Sequence, residues 1–330
     1  MLLTSRTPLR VSLFGGGTDY PEYFERHPGA VVGMAIDKYI YVSALKLGNL
    51  IDYHYRVSYS RLETVRSIAE IQHPVVRSTL EYFGVTEPLD INVMADLPAR
   101  SGLGSSSSFT VGLINVIAAL KKLSLTRLDL GKMAIKVERE ILKENVGVQD
   151  QLHAAFGGIN RFDFADNRIR ISPIQMTSDC QASLMASLVL VYTGVQRSAS
   201  DTVNEQLKAT RENKVERELS HLLTLTSQAV DVLECDSSDR MLIDLGAMLH
   251  DGWETKKKLS SKVSNPQIDE LYAAARAAGA LGGKLCGAGG GGFLLMLVPA
   301  ERLDSFTETL HGHSVIRLGL DTQGSVVLNA

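Results

Sequence analysis

The sequence predicts a soluble protein of mixed α/β class divided into two domains, and three observations carry that expectation. At 330 residues, 45% hydrophobic and 22% charged, the chain can bury a substantial core, yet it exceeds the ~250–300 residues at which single cores stop growing. Strand patterns crowd its N-terminal third, whereas helical patterns dominate from Ala199 onward. A polar stretch between Ile171 and Ser183, containing Pro173, separates the two regions. The predicted domains are residues 1–175 and 176–330.

Taken in order, Leu9, Val11 and Leu13 alternate with Arg10 and Ser12 before FGGGTD, a strand running into a loop. Ala30 to Ile36 and Tyr39 to Leu47, joined through Asp37 and Lys38, read as two further strands, and Tyr53 to Tyr59 as another. Leu89 to Met94 is a strand feeding DLPARSGLGSSSS at 96–108. The residues that follow, Phe109, Val111, Leu113, Ile114, Val116, Ile117 and Leu120, are too dense for a narrow stripe. They predict a buried helix with only its N-terminus facing a ligand. A second helix spans Arg127 to Lys143, capped by Thr126 with Asp129 in its first turn. Glu138 shares the inward side of its apolar stripe with Ala134 and Ile141. Beyond the boundary come a strand, Leu188 to Tyr192, and helices over Ala199–Glu234, Asp239–Leu259 and Ile268–Ala278. Gly279 to Gly292 forms a glycine-rich loop, and Phe293 to Val298 a buried strand.

Composition excludes several classes of function. A net charge of −3 with scattered Lys and Arg gives no footprint for nucleic acid. No apolar run approaches the ~18 residues that span a bilayer, and MLLTSRTPLR lacks a signal-peptide profile, so a cytoplasmic protein without a membrane partner is expected. Cys180, Cys235 and Cys286 are too widely spaced for a disulfide framework or structural zinc, and the histidines form no HExxH cluster.

Three segments carry chemistry. In the serine loop, Gly102 and Gly104 let the backbone approach an anion, and the helix opened by Ser105–Ser108 presents unpaired N–H groups and a positive dipole end to it. The same residues also suit a turn that merely caps a core helix. Gly287 to Gly292 fits GxGxxG on paper, but a helix precedes it and a strand follows, the reverse of the dinucleotide-binding order. No Walker lysine follows either loop. Phosphoryl transfer further needs oxygen ligands for a metal, a group to orient the acceptor, and positive charge on the moving phosphate. Glu138 and a loop serine supply hard oxygens for Mg2+, with a surface ion pair the alternative for Glu138. Asp150 sits in a loop before AAFGG, where it also suits a helix cap, and Arg10 and Asp19 can pair with each other and with substrate hydroxyls. Lys256, Lys257 and Lys258 suit either a substrate phosphate or a solvated helix face.

In this order TPLRVSLFGGGTD at 7–19, LPARSGLGSSSS at 97–108 and KLCGAGGGGF at 284–293 resemble the three signature motifs of the GHMP kinases, the family of galactokinase, homoserine kinase, mevalonate kinase and phosphomevalonate kinase. With VERE and VGVQDQ the likeness extends over most of the chain. It implies an α+β fold, with an N-terminal domain like the second domain of ribosomal protein S5, a ferredoxin-like C-terminal domain, and ATP between them. Carried onto this sequence, it implies that Pro98, Ser101, Gly102, Leu103, Gly104, Ser105, Ser106 and Ser107 wrap the ATP phosphates. Ser106 and Glu138 would ligate Mg2+, Asp150 would be the catalytic aspartate, and Arg10 would support the transferring phosphate. Gly16, Gly17, Thr18 and Asp19 would face the sugar, with Gly287, Ala288, Gly289, Gly290 and Gly291 beside it.

The first motif departs from the galactokinase form, since Gly16 and Gly17 stand where Gly-Glu-His-Thr-Asp carries its acid and histidine. GGGTD, YTGVQR at 192–197 and WETKKKLSSKVSNPQID at 253–269 look most like the branch that phosphorylates C1 of D-glycero-D-manno-heptose 7-phosphate. The implied partner is therefore a small-molecule sugar or sugar phosphate. A fucokinase- or galactokinase-like enzyme, a non-catalytic sugar-binding regulator and a decarboxylase on the same fold remain alternatives. The oligomeric state, a homodimer among the options, is left open.

Overall fold

Two long antiparallel strands, β1 (Leu2–Phe14) and β2 (Gly29–Lys46), are the spine of the computed structural model, which describes residues 1–48, 51–166, 168–195 and 199–329. On β1, Leu9, Val11 and Leu13 point into the core as their alternation predicts, while Arg10 and Ser12 on the other face are also covered and line a large cavity. The segments expected to be two strands are one. Pro8 faces Tyr39 and Leu9 faces Ile36, so Asp37 and Lys38 bulge out of the ladder beside a proline that has no N–H to give it.

That bend lets β2 serve two neighbours. Its second half pairs with β5 (Leu89–Ala95) and its first half with β6 (Ile159–Ala165). β3 (Tyr55–Ser58), β4 (Leu62–Val65) and β7 (Arg168–Pro173) extend the two wings, with β3 and β5 the parallel pair. The second sheet is antiparallel, in the order β11-β8-β10-β9, from β8 (Leu188–Tyr192), β9 (Gly282–Leu285), β10 (Phe293–Leu297) and β11 (Val315–Arg317). β9 lies within the stretch expected to be all loop, because two glycines without side chains leave no alternation to read. β12 (Val326–Asn329) then returns to pair with β1, so the first sheet has eight strands and the division at 175/176 does not separate the sheets cleanly.

The helix Ser105–Leu120 packs on β1 and β2 and is buried continuously from Ser107 to Ile114, as its dense apolar run predicts. The capping box of Thr126 and Asp129 is present, but the α-helix it opens ends at Ile135 and widens into a π-helical turn, Lys136–Ile141. The helix expected over Ala199–Glu234 is two, Ala199–Arg211 and Glu216–Leu233. Asn213 adopts a left-handed φ of 55°, and Lys214 N–H closes on Ala209 O at 2.9 Å, a helix-terminating turn. Among the described residues no helix is long and apolar enough to cross a membrane.

One buried group couples this core to pH. His153, in the helix Gln149–Phe156, stacks edge-on against Phe162 at 4.7 Å, and neither ring nitrogen has a hydrogen-bond partner. Burial, with the nearby Arg10 charge, pushes it from the ordinary 6.5 down to about 3. The unfolded chain therefore binds a proton that the folded one refuses, and stability falls as pH drops from about 6.5 toward 3. His153→Leu is expected to flatten the melting temperature over that interval by about one proton's worth of slope. Identical slopes in the two proteins refute this account.

Candidate active site

A cavity of about 830 Å³ lies between the sheets, where the FGGGTD turn, the serine loop and the second glycine loop converge. The serine loop enters its helix through Gly104, held at a left-handed φ of 74°, and the first intrahelical bond is Ser108 N–H to Gly104 O. The N–H groups of Ser105, Ser106 and Ser107 therefore precede the ladder at the dipole's positive end, and all three residues line the cavity. The second glycine loop closes against this one. A Cβ on Gly102 would stand 2.5 Å from Cys286 O, so only glycine permits the approach.

Arg10 forms the centre. Its Nε and Nη2 reach Asp150 Oδ1 at 2.8 and 2.7 Å, its Nη1 donates to Gly102 O at 2.7 Å, and its backbone N–H donates to Leu103 O at 3.0 Å. Arg10 thus pairs with Asp150, not with Asp19 as the sequence allowed. Asp150 lies in the first turn of Gln149–Phe156, not in a loop, and its Oδ2 takes no part in these bonds. A methyl on Gly104 would stand 3.4 Å from that oxygen, so the carboxylate faces the serine loop directly. Asp19 is a separate, buried carboxylate that accepts from Gly17 N–H at 3.0 Å, and burial pushes its pKa above the ordinary carboxylate value.

Glu138, on the π turn, is fully buried behind the serine loop. Its Oε2 accepts from Ser107 Oγ at 2.9 Å and from Gln151 Nε2, while Oε1 is buried without a partner. Burial pushes Glu138 up to about 7, against the opposing hydrogen bonds. The structure sets Ser107, not Ser106, against it; Ser106 is exposed on the cavity side.

Of the other sequence-predicted residues, Gly16, Gly17, Asp19, Gly287, Ala288, Gly289 and Gly291 line the cavity. Five do not. Pro98 is exposed outside it, Ser101 is buried beneath Gly292, and Leu103 belongs to the core. Thr18 spends its hydroxyl on Gly15 O and Ala30 O, and Gly290 N–H is tied to Val263 O. Gln196 and Arg197 of the YTGVQR segment lie outside the described residues.

The lysine triplet splits. Lys257 bridges Glu254 at 2.8 Å over the Trp253 ring and Lys258 is exposed, whereas Lys256 is buried and lines the cavity. Sequence reasoning missed Lys284, buried on β9 with Nζ on Leu13 O at 3.0 Å, and the amides of Gln149 and Gln206, which also line the cavity. The signal for Lys284 was a lone cation between apolar and glycine residues at the mouth of a glycine loop. The opposite end is apolar and aromatic, with the His73 ring 4.7 Å from Tyr59 and 5.1 Å from Phe109.

Residues 54–158 match the N-terminal domain of the GHMP kinases and residues 240–312 match their C-terminal domain. A D-glycero-alpha-D-manno-heptose 7-phosphate kinase of Campylobacter jejuni is 31% identical over 310 residues, 90% of this chain and 89% of that protein. A galactokinase of Pyrococcus furiosus is 25% identical over 93% of this chain and 92% of its own length. A solved D-glycero-D-manno-heptose 1-phosphate kinase from Bacteroides thetaiotaomicron shares the fold at a TM-score of 0.76, covering 100% of this chain and 99% of that one at 22% identity.

Proposed function

The chain belongs to the GHMP kinase family and is a sugar kinase with ATP as donor, and from that premise we propose that it phosphorylates the anomeric hydroxyl of D-glycero-D-manno-heptose 7-phosphate. The observation that carries the catalytic part is the Arg10–Asp150 pair facing the serine loop across one cavity. The heptose acceptor is supported by the Campylobacter relative and by Gly16 and Gly17, which leave the sugar end free of side chains there.

In this reading the N–H groups of Ser105, Ser106 and Ser107 hold the ATP phosphates, and the ring-lined end around Tyr59, His73 and Phe109 takes the adenine. Asp150 Oδ1 is held by Arg10, which leaves Oδ2 to accept the hydrogen of the acceptor hydroxyl and aim its oxygen at the γ-phosphorus. The new P–O bond forms as the bond to the β,γ-bridging oxygen breaks and ADP departs. An aspartate is a weak base for an alcohol, but in a loose transition state the proton leaves late, so orientation dominates over basicity. Three of the five N–H donors of Arg10 are engaged, and two remain for the transferring group. Asp19, with the amides of Gln149 and Gln206 near it, reads sugar hydroxyls.

Mg2+ fits the same site. Glu138 has a buried oxygen without a partner, and with the hydroxyls of Ser106 and Ser107 it offers hard oxygen donors beside the phosphate loop. When bound, the ion would neutralise charge on the nucleotide phosphates.

Incubation with ATP and a panel of heptose 7-phosphate, fucose, galactose, mevalonate and homoserine tests the acceptor, and phosphorylation of a non-sugar alone refutes it. Asp150→Asn should lower kcat by about a hundredfold or more, while an unchanged kcat removes Asp150 from the chemistry. Glu138→Ala should raise the Mg2+ concentration needed for half-maximal rate, and an unaltered metal titration counts against its role as ligand.

A further inference from the structure

Two buried ammonium groups on the second sheet's side of the cavity have no direct ion-pair partner among the described residues, though the Asp19 carboxylate acts on both from a distance. Lys256 donates to Leu285 O at 3.3 Å and to Gly287 O, and Lys284 donates to Leu13 O at 3.0 Å. Their residues are only 8% and 7% exposed, and neither enters an ion pair among the described residues. Such burial is costly for an uncompensated cation. It pushes Lys256 down to about 8 and Lys284 down to about 7.

We propose that Lys256 and Lys284 together hold a phosphate monoester already present on the acceptor, so that this kinase recognises a sugar phosphate in preference to the free sugar. The inference rests on the sugar-kinase reading of the same cavity. Three features favour the acceptor's phosphate over the nucleotide's. Lys284 hangs from the carbonyl of Leu13, two residues before Gly15–Asp19, and Lys256 from that of Gly287, so the pair bridges the two loops that border the acceptor end. The nucleotide's phosphates already have a cradle of their own in the serine loop. Finally, two ammonium groups carry six N–H donors, of which three are spent on carbonyls, and the remaining three match the terminal oxygens of a monoester. A dianion there would neutralise both lysines at once.

The test compares heptose 7-phosphate with unphosphorylated heptose as acceptors for the unaltered protein, Lys256→Gln and Lys284→Gln. Each variant is expected to reduce the ratio of kcat/KM for the two acceptors by about tenfold or more, the size of one lost charge-assisted hydrogen bond. An unchanged ratio overturns the proposal, as does a rise in KM for ATP larger than that for heptose 7-phosphate. Should a variant fail to fold, inhibition of the unaltered protein by inorganic phosphate decides. Competition against the sugar acceptor supports the subsite, whereas competition against ATP alone, or no inhibition, overturns it. If the unaltered protein leaves heptose 7-phosphate untouched, the acceptor assignment fails by itself. The lysine pair is then judged by inorganic phosphate competing against whichever sugar the protein does phosphorylate.

Discussion

The guanidinium of Arg10 is the tie on which the site depends. It holds a carboxylate from the helix Gln149–Phe156, a carbonyl of the serine loop and, through its own backbone, the residue beneath that loop. β1, one helix and one loop are thereby fixed to a single planar group, which is itself buried and rigid in geometry. A lysine in its place would offer one point charge on a flexible stem, and could not span the Asp150 carboxylate and Gly102 O with one planar fork. The pair also determines which oxygen of Asp150 remains available, since one is saturated by two N–H donors.

Around that tie the cavity is organised by the balance between burial and charge. Asp19 and Glu138 are buried carboxylates that burial makes harder to ionise, and Lys256 and Lys284 are buried ammoniums that burial makes harder to protonate. Opposite charges at such depth stabilise each other only if they meet, and here they do not: none of the four ends in a direct ion pair among the described residues. A site of this kind is completed by charged ligands, which bring the missing counter-charges with them.

Much of this was legible in the chain, for definable reasons. The buried helix after the serines followed from the density of its apolar residues; helical spacing set Glu138 beside Ala134 and Ile141 but left a surface ion pair open, and the structure buries Glu138 and Ala134 while Ile141, at the end of the π turn, is exposed. The three glycine- and serine-bearing motifs located the cavity because tight backbone approaches leave few residue choices, as Gly102 against Cys286 shows. What escaped was long-range. Arg10 and Asp19 are neighbours in sequence, yet the partner of Arg10 lies 140 residues away, and no local pattern encodes that. Asp37 and Lys38 read as a break because a bulge interrupts apolar alternation just as a turn does. Lys284 was hidden by its flanking glycines, which mimic a loop while forming a strand. That Ser107 bonds Glu138 while its neighbour Ser106 faces the cavity also escaped, because consecutive serines differ only in helical phase, which the entry angle at Gly104 sets.

The return of β12 to the edge of β1 has a consequence for how the molecule is made. β1 precedes the second sheet along the chain, but the outer edge of its residues Leu3–Arg6 finds its partner only after all four strands of the second sheet have been translated. The chain path therefore leaves the first sheet incomplete at that edge, an adhesive flank, until its last strand arrives after the whole of the second sheet.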